Sequence, residues 1–219
     1  ARRFLSAARM RLGFPSLNET KDITALITGH ERRTPRTVMQ TEGLEADDVE
    51  RIAVAYGRAK SWWHVQVATM IALGFVAILR LGEVVKINIG DVTLVRHNNE
   101  EMNAEHLQSV PRRSSVKGVF LHIKWRKADQ SHNVHVPVAC STATKLLLRQ
   151  LRLLRAAGRQ TGPLFPSRKG AVRNKFNHVS TQSMRDAIRK ALHEVCGLSR
   201  EQAALYSGHS LRVGGANHI

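Results

Sequence analysis

A run of thirteen apolar residues, VATMIALGFVAIL from Val67 to Leu79, constrains most strongly how this chain can fold. The run is too short to cross the hydrocarbon core of a bilayer, which takes about 20 residues in a helix. Because it is apolar nearly all round, a helix formed by it must be covered on most sides by the rest of the protein. We therefore predict a buried core helix from about Ser61 to Leu79 and no transmembrane anchor.

Other segments of the chain place apolar residues at helical spacing and are bounded by glycine or by a capping residue. They are residues 45–57, 141–158, 181–195 and a short helix opened by the capping box SREQ at 199–202.

Three segments alternate instead between apolar and polar residues, which is typical of strands with one buried face. They are DVTLVR (91–96), VFLHIKW (119–125) and NVHVPV (133–138). We predict a small three-stranded antiparallel sheet whose last two strands form a hairpin with RKADQSH at its tip. The polar run from His97 to Gly118 has no periodicity and is predicted as a long loop. The fold class is therefore mainly α, an α+β domain with one small sheet.

The charge balance indicates a polyanionic partner. Lysine and arginine number 34 against 17 aspartate and glutamate, which gives a formal net charge of +17 and an isoelectric point near 11.1. Such an excess favours nucleic acid or an anionic membrane surface as partner, and a basic protein that is merely soluble is the remaining alternative.

The sequence carries no motif for a cofactor or a small-molecule substrate. Neither GxxxxGK[ST] nor GxGxxG is present. None of the eleven histidines has the spacing of HExxH or of a Cys/His zinc site, so we expect no metal. The two cysteines, Cys140 and Cys196, do not form a disulfide scaffold, which fits a reducing compartment.

Three cations stand in unusual surroundings. Arg80 follows the buried apolar run, where an unpaired charge is costly, so its guanidinium must meet an anion. Glu83, one helical turn on, is one candidate for that anion, and a bound anion is the other. His209 and Arg212 lie three residues apart among small and apolar residues in SGHSLRVGGANHI, and in a helix they would share a face.

The order of these features along the chain resembles the catalytic domain of the tyrosine recombinase, or phage integrase, family. AILRLGEVVKINIGDV (77–92) is similar to the first arginine segment of the family, and HSLRVGGA (209–216) to its His-x-x-Arg segment. KWRKADQSHNVHVPV (124–138) is similar to the lysine-bearing hairpin between them, and GPLFP (162–166) to a Leu-Phe-Pro segment upstream of the second box. The resemblance covers roughly residues 37–219. The segment HSLRVGGA is most similar to the corresponding segment in recombinases of tyrosine-recombinase retrotransposons and related eukaryotic mobile elements.

The resemblance implies site-specific DNA recombination or integration by strand cleavage and rejoining through a 3′-phosphotyrosyl intermediate. Arg80 and Arg212 would hold the attacked phosphate, since guanidinium forks suit the negative charge that gathers on its oxygens. Lys127 would protonate the leaving 5′-oxygen. His209 would orient the phosphate or act on the proton of the tyrosine. No metal or other cofactor is implied.

The implied partner is double-stranded DNA, bound by a homo-oligomer that is a tetramer on DNA, with no membrane and no small-molecule substrate. The further cations expected to contact the DNA are Lys124, Arg126, Arg33 and Arg36. Such a protein is expected in the nucleus of a eukaryote, or otherwise with the nucleoid in the cytoplasm.

The nucleophilic tyrosine of the family has no counterpart at its usual place, a few tens of residues after the second box. The chain has two tyrosines, Tyr56 and Tyr206, and Tyr206 lies before His209, where we expect it to pack into the core. We therefore expect no nucleophile in these residues and no DNA cleavage by this chain alone. The expected domains are the final helix of an N-terminal core-binding domain (1–30), a linker (31–40), and a catalytic domain (41–219) truncated before the nucleophile.

Two other functions remain open. One is a catalytically inactive descendant that keeps the recombinase fold as a nucleic-acid-binding or structural subunit, which the net charge of +17 serves equally well. The other is a basic RNA-binding helical protein whose match to the family is accidental. A tyrosine at the right place in the reading frame beyond Ile219 would favour the enzyme over the inactive descendant.

Overall fold

The structure is a computed structural model that describes residues 42–124, 134–167 and 177–218. These residues belong to one unit of the chain, Thr41–Ile219. The predicted N-terminal helix and linker lie outside the described residues, as do four of the predicted functional residues: Arg33, Arg36, Arg126 and Lys127. The domain division therefore stays a prediction.

Helices make up most of the described chain. Their bounds are Ala46–Gly57 (α1), Trp62–Val76 (α2), Leu81–Val84 (α3), Ser141–Ala156 (α4), Thr181–Cys196 (α5), Arg200–Ala204 (α6) and Ser210–His218 (α7). Helices α1, α4, α5 and α7 all pack against α2. No helix in the described ranges is long and apolar enough to cross a membrane.

Helix α2 is the predicted core helix, and every residue from Val65 to Phe75 is buried. Its two buried polar side chains are paired, as buried polar groups must be. Gln66 Nε2 donates to the carbonyl of Pro166 at 3.0 Å, and the Thr69 hydroxyl donates to the carbonyl of Val65 at 2.7 Å. The polar side chains of α2 itself are therefore satisfied within the core.

Helix α2 ends at Val76, three residues before the predicted end. The Ile78 N–H donates to the Phe75 carbonyl at 3.2 Å, and the Leu79 N–H donates to the Gly74 carbonyl at 2.9 Å. This bonding pattern is a Schellman motif, with Ile78 at φ 51° in the position that usually holds glycine. A left-handed conformation costs a residue other than glycine about 1–2 kcal/mol. The chain turns sharply here.

The sheet has four antiparallel strands in the order β2-β1-β3-β4, one more than predicted. Their bounds are Val92–Arg96 (β1), Glu101–Asn103 (β2), Val116–Ile123 (β3) and Val134–Pro137 (β4). The added strand β2 lies inside the run that was predicted as a loop, and its Asn103 pairs with Thr93 of β1. The hairpin prediction for β3 and β4 is confirmed by the pairing of Ile123 with Val134.

The predicted burial of alternate residues in β3 is also confirmed. Val119, Leu121 and Ile123 are all buried, and Val116 continues the buried face at the start of the strand. The Leu-Phe pair of the segment 162–166 is fully buried as well. This segment holds the connection between α3 and β1, because Leu164 N–H donates to the Ile87 carbonyl at 3.0 Å.

Candidate functional site

Arg80 precedes helix α3 and is bound by Glu83. The Glu83 carboxylate accepts from the Arg80 backbone N–H at 2.8 Å and from its guanidinium Nη1 at 3.2 Å. The Glu83 side chain is 7% exposed, whereas that of Arg80 is 31% exposed. The anion expected near Arg80 is therefore supplied within the chain, as the spacing allowed. The Nε and Nη2 edge of Arg80 makes no hydrogen bond with the described residues, and such an edge can bind two oxygens of one phosphate.

Helix α7 carries the HSLRVGGA residues and lies directly on the core helix α2. Leu211 is fully buried, and a Cβ added at Gly74 would lie 2.8 Å from its Cδ1. A Cβ at Gly215 would overlap the carbonyl oxygen of Phe75 and lie 3.1 Å from the carbonyl carbon. Gly215 therefore allows a close approach of α7 to the backbone of α2 that alanine would hinder.

The other side of α7 packs on the segment that precedes α1. The Leu44 N–H donates to the Ser210 carbonyl at 3.1 Å. A Cβ at Gly214 would lie 2.7 Å from the nitrogen of Leu44 and 2.9 Å from its carbonyl carbon. Helix α7 is thus held between two stretches of backbone, which fixes its position in the fold.

His209 and Arg212 lie one helical turn apart at the start of α7. The Val213 N–H donates to the His209 carbonyl at 3.0 Å, so His209 is the residue at which the helix begins to form its hydrogen bonds. His209 is exposed, and Arg212 is half-buried. Neither side chain makes a hydrogen bond with the described residues.

One hydrogen bond joins the two segments that the sequence analysis selected. The Leu81 N–H donates to the Gly208 carbonyl at 3.3 Å. Arg80 directly precedes Leu81 in the chain, and His209 directly follows Gly208. Arg212 lies one turn further along α7. The structure therefore brings together the backbones that carry these three predicted residues.

The end of strand β3 reaches the same region. A small cleft is lined by Glu83, Lys86, Ile87, Asp91, His122, Ile123 and Lys124. This places the base of the hairpin beside the carboxylate that binds Arg80. Lys127, three residues beyond Lys124, lies outside the described residues.

Lys124 has a partner that the sequence analysis missed. Its Nζ lies 2.5 Å from Oδ1 of the buried Asp91, and the other oxygen of that carboxylate accepts from the Asn88 N–H at 2.9 Å. About half of the Lys124 side chain, 48%, stays exposed. Asp91 lies on a different element, so no sequence spacing signalled the pair. The ion pair holds the end of β3 to the start of β1.

His178 is a second residue that no motif marked. Its Nδ1 donates to the carbonyl of Val85 at 2.8 Å. Val85 directly follows α3, so this bond fixes the end of the helix whose start is held by the pair of Arg80 and Glu83. His178 is a positioning residue for this part of the fold.

Both tyrosine side chains are buried. Tyr56 is 8% exposed, its hydroxyl donates to Glu194 at 2.8 Å, and its ring centroid lies 4.4 Å from that of His64. Burial, together with the nearby Glu194 carboxylate, raises the Tyr56 pKa well above its usual value. Tyr206 is 6% exposed, which confirms that it packs into the core, and burial raises its pKa as well.

Within the described ranges, no three His, Cys, Asp or Glu side chains lie close enough together to hold a metal ion. Cys140 and Cys196 are both free and half-buried. Burial raises the pKa of the Cys196 thiol to about 12, which makes it a poor nucleophile.

No protein-family model and no curated protein matches this chain. Solved structures do match it. The XerH site-specific recombinase bound to its difH substrate in a pre-cleavage complex is 16% identical, with a TM-score of 0.52 over 80% of this chain. The post-cleavage complex of XerH with palindromic difH is also 16% identical, with a TM-score of 0.53 over 80% of this chain. This chain covers 41% of each of those recombinase chains. The fold resembles the catalytic domain of tyrosine recombinases, and the predicted fold class is confirmed.

Proposed function

We propose that this protein is a tyrosine recombinase that recombines or integrates DNA, and that it serves a mobile element of the retrotransposon kind. One observation carries the proposal. The hydrogen bond from Leu81 to Gly208 sets the Arg80 segment beside the segment of His209 and Arg212, in a fold that resembles a site-specific recombinase.

In the proposed reaction a tyrosine oxygen attacks the phosphorus of a DNA phosphodiester. The bond between phosphorus and the 5′-oxygen breaks, and a 3′-phosphotyrosyl bond forms. The 5′-oxygen takes a proton from Lys127, and His209 orients the phosphate or accepts the proton of the tyrosine. Attack by a 5′-hydroxyl on the phosphotyrosine reverses each step and rejoins the DNA, so that no external energy source is needed.

Arg80 and Arg212 stabilise the charge that develops on the non-bridging oxygens. Such donors act best when they are already in place, and removing one in other enzymes costs about 10²–10³ in rate. Arg212 stands on a helix seated on the core, and Arg80 is tied to the buried Glu83. This preorganisation supports a catalytic role, in which Glu83 positions Arg80.

Neither tyrosine of the chain serves as the nucleophile in this proposal. Both are buried, and the Tyr56 hydroxyl is occupied by Glu194. We place the nucleophile outside these 219 residues. The chain by itself should then bind DNA without cutting it.

Double-stranded DNA is the proposed partner, bound by a homotetramer, and the net charge of +17 supports a polyanionic partner. The two XerH structures are complexes with a difH substrate. The exposed half of Lys124 is proposed to contact DNA. So are Arg126, Arg33 and Arg36. The proposed location is the nucleus in a eukaryote, and otherwise the nucleoid.

The proposal is tested with the product of the complete gene on a nicked suicide substrate, from which a cleaved strand escapes so that the phosphotyrosyl bond persists. We expect a covalent protein–DNA adduct on a denaturing gel. Arg80→Ala and Arg212→Ala should abolish it, while DNA binding and thermal unfolding show that both variants are folded. Arg212→Lys keeps the charge but loses the bidentate fork, and it should lower the adduct yield strongly. No adduct from a complete protein that binds DNA would refute the catalytic proposal.

A nucleic-acid-binding subunit without catalysis is the second candidate. The observation that favours it is the burial of both tyrosines of the chain, Tyr56 and Tyr206. In that case Glu83→Gln should leave DNA affinity and its salt dependence unchanged, and no gene product should form the adduct.

A further inference from the structure

A basic groove lies between helix α4 and the segment that leads into β3. Its volume is about 570 Å³, and it is lined by Val110, Arg112, Arg113, Lys145, Leu148 and Arg152. Lys145, Leu148 and Arg152 follow one another at helical spacing, so they form a single stripe along α4. Four of the six lining residues are cations, and none is acidic.

The described residues do not neutralise the positive charge of this groove. Arg152 Nη2 donates to the Pro111 carbonyl at 2.7 Å, and Arg113 Nη1 donates to the Val116 carbonyl at 2.6 Å. Carbonyl oxygens orient these guanidiniums without cancelling their charge. None of the four cations forms an ion pair with a described residue. In addition, Arg113 Nε is buried without a hydrogen-bond partner in the described chain.

The groove is separate from the candidate functional site. Arg113 opens the short helix that runs into Val116, the first residue of β3, whereas the cleft beside Glu83 adjoins Ile123, its last residue. A strand of eight residues spans roughly 25 Å at about 3.3 Å per residue. One phosphate could not contact both places.

We propose that this groove binds the sugar-phosphate backbone of a second stretch of duplex DNA. Three guanidiniums and one ammonium suit phosphate oxygens, and arginine binds them in bidentate fashion. The groove has no aromatic residue on which an unpaired base would stack, which favours the backbone of a duplex over a single strand. It needs no strand cleavage. It therefore goes beyond the proposed function, as a contact that retains DNA away from the cut site.

The test compares two double variants of the full chain that lose the same formal charge. Arg112→Gln with Lys145→Gln removes two exposed groove cations that make no hydrogen bond with described residues. Arg51→Gln with Arg200→Gln removes two exposed cations outside the groove and is the matched control. Thermal unfolding followed by circular dichroism should show that both remain folded.

Binding to a fluorescein-labelled duplex of about 30 base pairs is measured between about 50 and 200 mM salt. Each lost phosphate contact lowers the slope of log K against log salt by about 0.9, so the groove variant should lose about 2 from that slope. Across this range the salt-induced loss of affinity then shrinks about tenfold relative to the native chain. The control should keep the native slope.

Equal slopes for the two variants would overturn the proposal, because only net charge would then matter. If the groove variant lost its binding to poly-glutamate while its DNA binding stayed unchanged, the proposal would also be overturned. That result would indicate an acidic protein segment as the occupant. Adduct formation by the complete gene product is a separate readout. If the groove variant changes the salt slope but the complete gene product forms no adduct, the DNA-binding proposal for the groove is supported and only the catalytic proposal is refuted.

Discussion

The glycine of α7 that faces the core helix gives the sharpest test of how the site is held. In Gly215→Ala the new methyl group would overlap the carbonyl oxygen of Phe75 and would lie 3.1 Å from the carbonyl carbon of the same residue. Phe75 belongs to the buried stretch of α2 from Val65 to Phe75, so its backbone has little room to yield. Overpacking a core costs about 1–3 kcal/mol, whereas alanine in a helix gains about 1 kcal/mol over glycine. Because backbone forms the obstacle, we take the upper value and expect a net loss of about 2 kcal/mol.

Urea unfolding measures this loss directly. With an m-value of about 2 kcal/mol/M, the midpoint should fall by about 1 M. Gly118→Ala is the control, since a Cβ at that strand position would meet nothing within 4 Å, and it should change stability by less than about 0.5 kcal/mol. The Gly215 variant should also bind DNA more weakly under conditions where it is folded, because displacing α7 displaces Arg212.

A urea midpoint for Gly215→Ala within about 0.2 M of the native value would contradict this expectation. That outcome would mean that α7 can move away from α2 at little cost. The close approach of the two helices would then not determine where Arg212 lies.

Three further substitutions probe other contacts. Tyr56→Phe removes the hydrogen bond to the half-exposed Glu194 and should cost about 1 kcal/mol at neutral pH. This bond lowers the Glu194 pKa and raises that of Tyr56, so its stabilisation is present above the usual Glu pKa of about 4.3 and fades as pH falls through the lowered value. It is lost again as pH rises above about 10, so native and variant urea midpoints should converge at both extremes. Glu83→Gln leaves the Arg80 guanidinium without its carboxylate and should lower the free energy of unfolding by about 1–3 kcal/mol. It should also reduce the adduct yield more than the DNA affinity. An unchanged urea midpoint would contradict this expectation. Phe165→Ala empties a fully buried site and should cost about 3–5 kcal/mol in the same urea assay.

Regular periodicity allowed most of the fold to be predicted, and the errors fall where periodicity is absent. Strand β2 is three residues long with no buried side chain, so nothing in its sequence distinguishes it from loop; only pairing with β1 makes it a strand. The early end of α2 was missed for another reason. Isoleucine is a poor residue for a left-handed position, so nothing in the sequence indicated that Ile78 would adopt one.

For the candidate site, sequence order identified residues but not contacts. The pair of Arg80 and Glu83 was predictable from a spacing of three, because such neighbours meet on any helical turn. The pairs of Lys124 with Asp91 and of His178 with Val85 join distant parts of the chain, and no local rule signals them. The bond from Leu81 to Gly208 is of the same long-range kind, so the sequence indicated two segments without showing that they meet.

The packing of α7 on α2 also affects the order in which the parts of the protein fold. Gly74 and Leu211 come from opposite ends of the described chain, and the entropy of closing so long a loop opposes their contact until the elements between them have formed. The segments that carry Arg80 and Arg212 should therefore meet late in folding. A half-folded copy can attract a polyanion through its charge, but it lacks the proposed phosphate-binding site.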